Sequence, residues 1–198
     1  MSVSPFDEQT ALVVVDLQND FADPAGSLAV GGGEAIVPLV NEAVRTASEA
    51  GALVIATQDW HPASTPHFAT DGGPWPVHCV GGTWGAELHP SFDLPTDAPR
   101  IRKGVSGEDG YSGFSMRDAS TGEEVSTELE GILRKRGIER VVVCGLATDY
   151  CVKATALDAV RLGFTVSLLG EAVAAVNVAP EDGDRALAEM AEAGVVLV

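Results

Sequence analysis

The chain has 198 residues, 45% of them hydrophobic, with 12 Lys plus Arg against 29 Asp plus Glu and a net charge of −17. This composition is globular rather than disordered, and the length suits one domain, 1–198, with a substantial core. The acidic excess repels phosphate backbones and anionic lipid, which argues against nucleic-acid or membrane partners. The segment Met1–Asp7 lacks the basic and apolar parts of a signal peptide, and no apolar run approaches membrane-spanning length. A cytoplasmic location is therefore expected. Cys79, Cys144 and Cys151 form an odd set without a CxxC pair, which argues against a disulfide framework or a structural zinc site.

In chain order, strands alternate with helices. Ala11–Val15 is an apolar run closed by Asp16, the pattern of a parallel strand covered on both faces. Ile36, Val37, Val40, Ala43, Val44 and Ala47 recur at helical spacing between Glu34 and Ala50, with Pro38 assigned to the first turn. Leu53–Thr57 reads as a second buried strand. The segment 59–99 is rich in Pro, Gly and His and lacks periodicity; loops of that length tend to carry function. Ile101–Arg102 is a short strand leading to Lys103. Val125, Leu129, Ile132 and Leu133 mark a helix ending near Gly137. Val141–Val143 is a strand, followed by a helix from about Asp149 to Leu162 with Thr148 as its N-cap. Phe164–Leu169 (strand), Pro180–Ala193 (helix) and Val195–Val198 (strand) complete the chain. Such alternation predicts an α/β fold with an open, mainly parallel sheet and helices on both faces. Ligands then bind beyond the carboxyl ends of the strands, where Asp16, Asp59, Lys103 and Leu146–Cys151 fall.

Two constellations carry chemistry. Cys151 falls in the first turn of its helix, where free N–H groups and the dipole favour a thiolate. With Lys103 supplying positive charge and Asp16 able to take and return a proton, the sulfur is a candidate nucleophile toward a carbonyl carbon. Each residue also has a plainer reading: a buried apolar cysteine, a turn-forming aspartate, a solvated lysine. The second constellation is Asp59 and His61, spaced i and i+2, with His78 returning from the loop. Two imidazoles and a carboxylate suit one divalent ion (zinc first, with iron or manganese as alternatives), unless the histidines cap loop carbonyls instead. His67 is either a further ligand or a group behind the ligands, and His89 has no assigned role.

Asp16 in Val-Val-Asp-Leu-Gln-Asn-Asp-Phe, Asp59-Trp-His61, Trp75-Pro-Val-His-Cys79, Lys103-Gly104 and Gly145-Leu-Ala-Thr-Asp-Tyr-Cys151 resemble, in order and over nearly the whole chain, the nicotinamidase (pyrazinamidase) branch of the isochorismatase-like cysteine hydrolases. The resemblance implies a doubly wound sheet of six strands and deamidation of nicotinamide to nicotinate and ammonia, within NAD salvage. It implies Cys151 as nucleophile, Asp16 as proton shuttle and Lys103 as supporting charge. It further implies a metal held by Asp59, His61 and His78, in some members with His67 as well. The oxyanion hole would be the backbone N–H groups of Ala147 and Cys151, set by a cis peptide before Ala147. Phe21, Trp75 and Tyr111 match positions lining the pocket for a small aromatic amide. The loop Val105–Gly110 departs from the family pattern in being longer or more acidic. Retention of the two-histidine site selects this branch over relatives acting on isochorismate or carbamoyl substrates. The alternatives are an amidase of the same superfamily acting on another small amide, a non-haem iron oxygenase, or a binding module that needs no Cys151. A homo-oligomer is compatible with all of them.

Overall fold

β1 (Thr10–Val15) is buried at all six positions and lies at the centre of the sheet. A β-branched run without polar interruptions can be covered on both faces, and that defines its place. The computed structural model describes residues 5–118 and 121–198. Five further strands join β1: β2 (Leu53–Asp59), β3 (Arg100–Lys103), β6 (Arg140–Leu146), β7 (Thr165–Ala174) and β8 (Val196–Leu197). All pair in parallel, in the order β3-β2-β1-β6-β7-β8. This is the expected doubly wound sheet.

The alternation of side chains along β1 divides the core. Leu12 and Val14 face α2 (Gly33–Glu49), packing with Ile36, Val40 and Val44. Ala11, Val13 and Val15 face the opposite layer, built from α3 (Leu129–Lys135), α4 (Lys153–Arg161) and α5 (Asp182–Glu192). A short helix, α1 (Asn19–Ala22), follows β1 directly.

Three local expectations are corrected. Pro38 lies in the second turn of α2, not the first. Pro38 and Glu34 are both on the exposed face, so water can serve the carbonyl that loses its N–H partner. Val125 is not helical. It sits in β5 (Glu124–Ser126), pairing antiparallel with Met116 of β4 (Ser115–Arg117). α3 starts only at Leu129, whose N–H donates to Thr127 Oγ1 (3.2 Å), so the local turn at Thr127 resets the chain. The predicted helix from Asp149 begins as a π-helical turn over Thr148–Val152, and only then becomes α4. Ala147 occupies the cap position and Thr148 makes no side-chain cap bond.

Candidate active site

Four parallel strands end at one edge of the sheet, and each delivers one component there. Asp16 follows β1 with φ 46°. Asp59 ends β2 and lies in register with Lys103, which ends β3. The turn carrying Cys151 follows β6 after the Leu146–Ala147 peptide, which is cis. Gly145 adopts φ 109°, and a Cβ there would lie 2.1 Å from the Val15 carbonyl oxygen, so only glycine allows β6 to pass β1 so closely.

Lys103 is fully buried, contrary to the default for its residue type. Its Nζ donates to Asp16 Oδ2 at 2.7 Å and to Asp59 Oδ1 at 2.8 Å, and also to the Gly110 carbonyl. Burial works against the ammonium, but the two carboxylates outweigh it and hold Lys103 well above the usual lysine range. Burial likewise pushes the Asp16 carboxyl up, to about 6, against the pull of Lys103. For Asp59 burial also opposes ionisation, yet the Lys103 ammonium holds its carboxyl well below the usual range. The two acids are thus driven apart, which marks Asp16 as the one able to exchange a proton near neutrality.

A carboxylate oxygen of Asp16, one of Asp59 and Cys151 Sγ lie within 4.8 Å of one another. With Lys103 Nζ bonded to Asp16 at 2.7 Å, the side chains of Asp16, Lys103 and Cys151 lie together. The thiolate expected from the helix dipole is not what the surroundings favour. Burial raises the Cys151 thiol well above its ordinary value; Lys103 opposes this, but the charges of Asp16 and Asp59 reinforce it. The positive charge is shared by two carboxylates that stand beside the sulfur. Cys151 rests as a thiol beside the Asp16 carboxylate.

His61, His67 and His78 present ring nitrogens within 4.8 Å of one another, and all three are buried. Asp59 Oδ2 lies 3.6 Å from His61 Nε2 and 3.9 Å from His78 Nε2, while Oδ1 of the same group serves Lys103. One carboxylate thus joins the two constellations. His78 Nδ1 is 2.7 Å from the Pro76 carbonyl, a contact that requires Nδ1–H and leaves the Nε2 lone pair facing Asp59. Both ring nitrogens of His61 are buried without a hydrogen-bond partner among the described residues. Burial holds His78 low and His67 at about 4, so both rings are neutral and keep a lone pair. Three buried imidazoles and an ionised carboxylate gathered about the orphaned His61 nitrogens fit a divalent cation. His67, left open by its spacing, belongs to this cluster. His89 is buried elsewhere, its Nδ1 accepting the Ser91 N–H at 3.3 Å.

Between the sulfur and the histidines lies a small cavity lined by Phe21, Trp75 and Tyr111, and by Ala147 and Cys151 from the turn. Tyr150 also lines it and was not anticipated. Trp75 Nε1–H donates to Tyr111 Oη at 2.9 Å, and the Trp75 ring meets Tyr150 edge-on at 4.8 Å between centroids. The adjacency of Tyr150 to Cys151 was the only sequence signal for it.

Sequence reasoning also missed the residues that hold these groups in place. Gln18 receives the Asp59 N–H at 2.8 Å and donates to the Asp59 and Ala86 carbonyls at 2.7 and 2.8 Å. Asp20 Oδ2 accepts the Cys79 N–H at 2.7 Å, tying down the residue after His78. Both lie in the Leu-Gln-Asn-Asp run after Asp16, so the signal was present without an assignable role. Among the described residues no helix is long and apolar enough to cross a membrane.

Similarity to characterised proteins agrees with this geometry. A profile of the isochorismatase domain matches residues 10–198. The nicotinamidase of Escherichia coli (strain K12) is 40% identical over 203 residues, covering 94% of this chain and 93% of that protein. The pyrazinamidase of Pyrococcus horikoshii, solved in complex with zinc, superposes with a TM-score of 0.86 at 48% identity, over 96% of this chain and 98% of that one. PnC1 from L. infantum, solved in complex with nicotinate, gives a TM-score of 0.88 at 42% identity, over 98% and 94% of the two chains. A parallel six-stranded sheet, an acid–lysine–cysteine cluster at its carboxyl edge and similarity along nearly the full length lead to one conclusion: the chain belongs to the isochorismatase family.

Proposed function

We propose that the protein is a nicotinamidase, an amidohydrolase converting nicotinamide to nicotinate and ammonia through a thioester on Cys151. The observation carrying this reading is Lys103 Nζ bridging Asp16 and Asp59, with Cys151 Sγ on one side and the histidine cluster on the other. Asp16 takes the Cys151 proton as Sγ attacks the carboxamide carbon. Charge developing on the carbonyl oxygen is met by the backbone N–H groups of Ala147 and Cys151. Asp16 returns its proton to the departing nitrogen, ammonia leaves, and the acyl group remains on sulfur. Asp16 then removes a proton from water as the water attacks the thioester. Collapse expels the thiolate, which regains the proton from Asp16, and the product leaves as nicotinic acid, losing its carboxyl proton to water to give nicotinate. Lys103 keeps Asp16 from becoming too basic to release its proton in either half.

Asp59, His61, His67 and His78 would hold a divalent ion, zinc in our reading, which supplies a Lewis-acidic partner for the ring nitrogen of the substrate. Phe21, Trp75 and Tyr111 enclose the ring and exclude water. The reading takes 1–198 as a single catalytic domain whose 59–99 loop furnishes the histidines. It places the enzyme in the cytoplasm, in keeping with three free cysteines. The test is ammonia release by purified protein from nicotinamide, pyrazinamide and a carbamoyl amide, with Cys151→Ala as control. Turnover of nicotinamide by the wild type and none by Cys151→Ala is expected. Preference for the carbamoyl amide would move the chain to another amidase of the family, and activity surviving Cys151→Ala would refute the thioester.

A further inference from the structure

Thr57 sits on β2, two residues before Asp59, and is fully buried. Its hydroxyl makes two bonds to a single residue, Asp16, just beyond the end of β1. Oγ1–H donates to Asp16 Oδ1 at 2.6 Å, and Oγ1 accepts the Asp16 backbone N–H at 3.2 Å. The first distance is that of a hydroxyl bonded to a charged carboxylate. The second holds the backbone of a residue kept at φ 46°, a conformation that a non-glycine residue adopts only when its surroundings impose it. On its other side the Thr57 methyl faces Gly113, where an added Cβ would lie 3.1 Å from Thr57 Cγ2. A stiff β-branched side chain, wedged by its methyl and bonded by its hydroxyl, has one rotamer available.

Counting donors shows what this does to Asp16. Lys103 occupies Oδ2 and Thr57 occupies Oδ1. With both oxygens anchored, the carboxylate plane can no longer rotate, and its remaining lone pairs are aimed by these two bonds. We infer that Thr57 is a positioning residue for the reaction: it clamps the Asp16 carboxylate and backbone so that a free lone pair stays directed at Cys151 Sγ. The inference rests on the reading of Asp16 and Cys151 as base and nucleophile. A clamp of this kind affects the proton transfers and leaves substrate binding alone, because Thr57 does not line the cavity.

The experiment uses full-length, metal-loaded protein and compares wild type, Thr57→Val, Thr57→Ala and Thr57→Ser, with melting curves to confirm folding. Thr57→Val keeps the shape and removes the hydroxyl; Thr57→Ala removes the hydroxyl together with the methyl that faces Gly113, and so puts no methyl near the Asp16 N–H. In both, kcat for nicotinamide should fall about tenfold to a hundredfold with KM little changed, and Thr57→Ser should recover most of it. Alkylation of Cys151 by iodoacetamide, followed by mass spectrometry, reads the same proton transfer without any substrate. It should slow in the Val and Ala variants and not in Ser. Wild-type kcat and alkylation rates in either hydroxyl-free variant overturn the inference, as does a Ser variant no better than Ala. If wild-type protein leaves nicotinamide untouched, the proposed function fails, and the alkylation series still decides the role of Thr57.

Discussion

Replacing Lys103 by Met tests the electrostatic core of the site directly. The side chains are similar in length, so the change removes one buried charge with little change of volume. In its absence Asp16 and Asp59 face each other with oxygens no more than 4.8 Å apart and both groups buried. At that separation two full charges repel by about 3.5 kcal/mol at an effective dielectric near 20. The cost of stranding buried charges after loss of a partner is typically about 3–5 kcal/mol, which agrees. For a chain of this size that is a fall of about 6–20 °C in Tm. The sign of the pH dependence follows from Asp16. Its carboxyl already lies at about 6, above the reference value of 3.8, and removing the cation raises it further. The native state then holds a proton that the unfolded chain has lost. The deficit is therefore largest above neutrality and shrinks as pH falls toward about 5. Urea unfolding of chelator-treated wild type and Lys103→Met at several pH values measures it. Equal midpoints at pH 8, or a deficit that grows on acidification, would refute the assignment of Lys103 as the buried counter-ion.

Three other outcomes follow from the same geometry. The proposed base, Asp16, can act only when ionised, and its carboxyl lies at about 6, so kcat/KM for nicotinamide at saturating metal should drop about tenfold per pH unit below that point; a flat profile down to pH 4.5 would contradict it. His61→Ala removes the orphaned imidazole at the centre of the cluster and should leave the purified protein substoichiometric in zinc by elemental assay, whereas full occupancy would remove His61 from the ligand set. Tyr111→Phe deletes the acceptor of the Trp75 indole N–H; its loss should raise KM about 2- to 10-fold with kcat preserved, and an unchanged KM would show that the bond does not shape the pocket.

The buried strands were readable because each is an unbroken apolar run that stops at a polar residue or a glycine. Runs of this kind need no partner information: Ala11–Val15 ending at Asp16, and Val141–Val143 leading to Gly145, define both the sheet and its functional edge. Local competition was harder to read. Val125 and Pro38 were misplaced because a β-branched residue before a turn, or a proline on an exposed helix face, is decided by what lies opposite it.

The pattern of residues along the chain was enough to identify the sheet and the residues at its carboxyl edge, since these depend on periodicity and order, while the resemblance to a family rests on the identity of the motif residues themselves. Folding decided the protonation of the site. Whether Cys151 carries a proton, and whether Asp16 or Asp59 can accept one, depends on burial and on charges within a few ångströms contributed by strands far apart in sequence. The clamp of Thr57 on Asp16, the inclusion of His67 with the other histidines and the presence of Tyr150 at the pocket have the same origin. Each is a contact between segments whose spacing in sequence bears no relation to their distance in space.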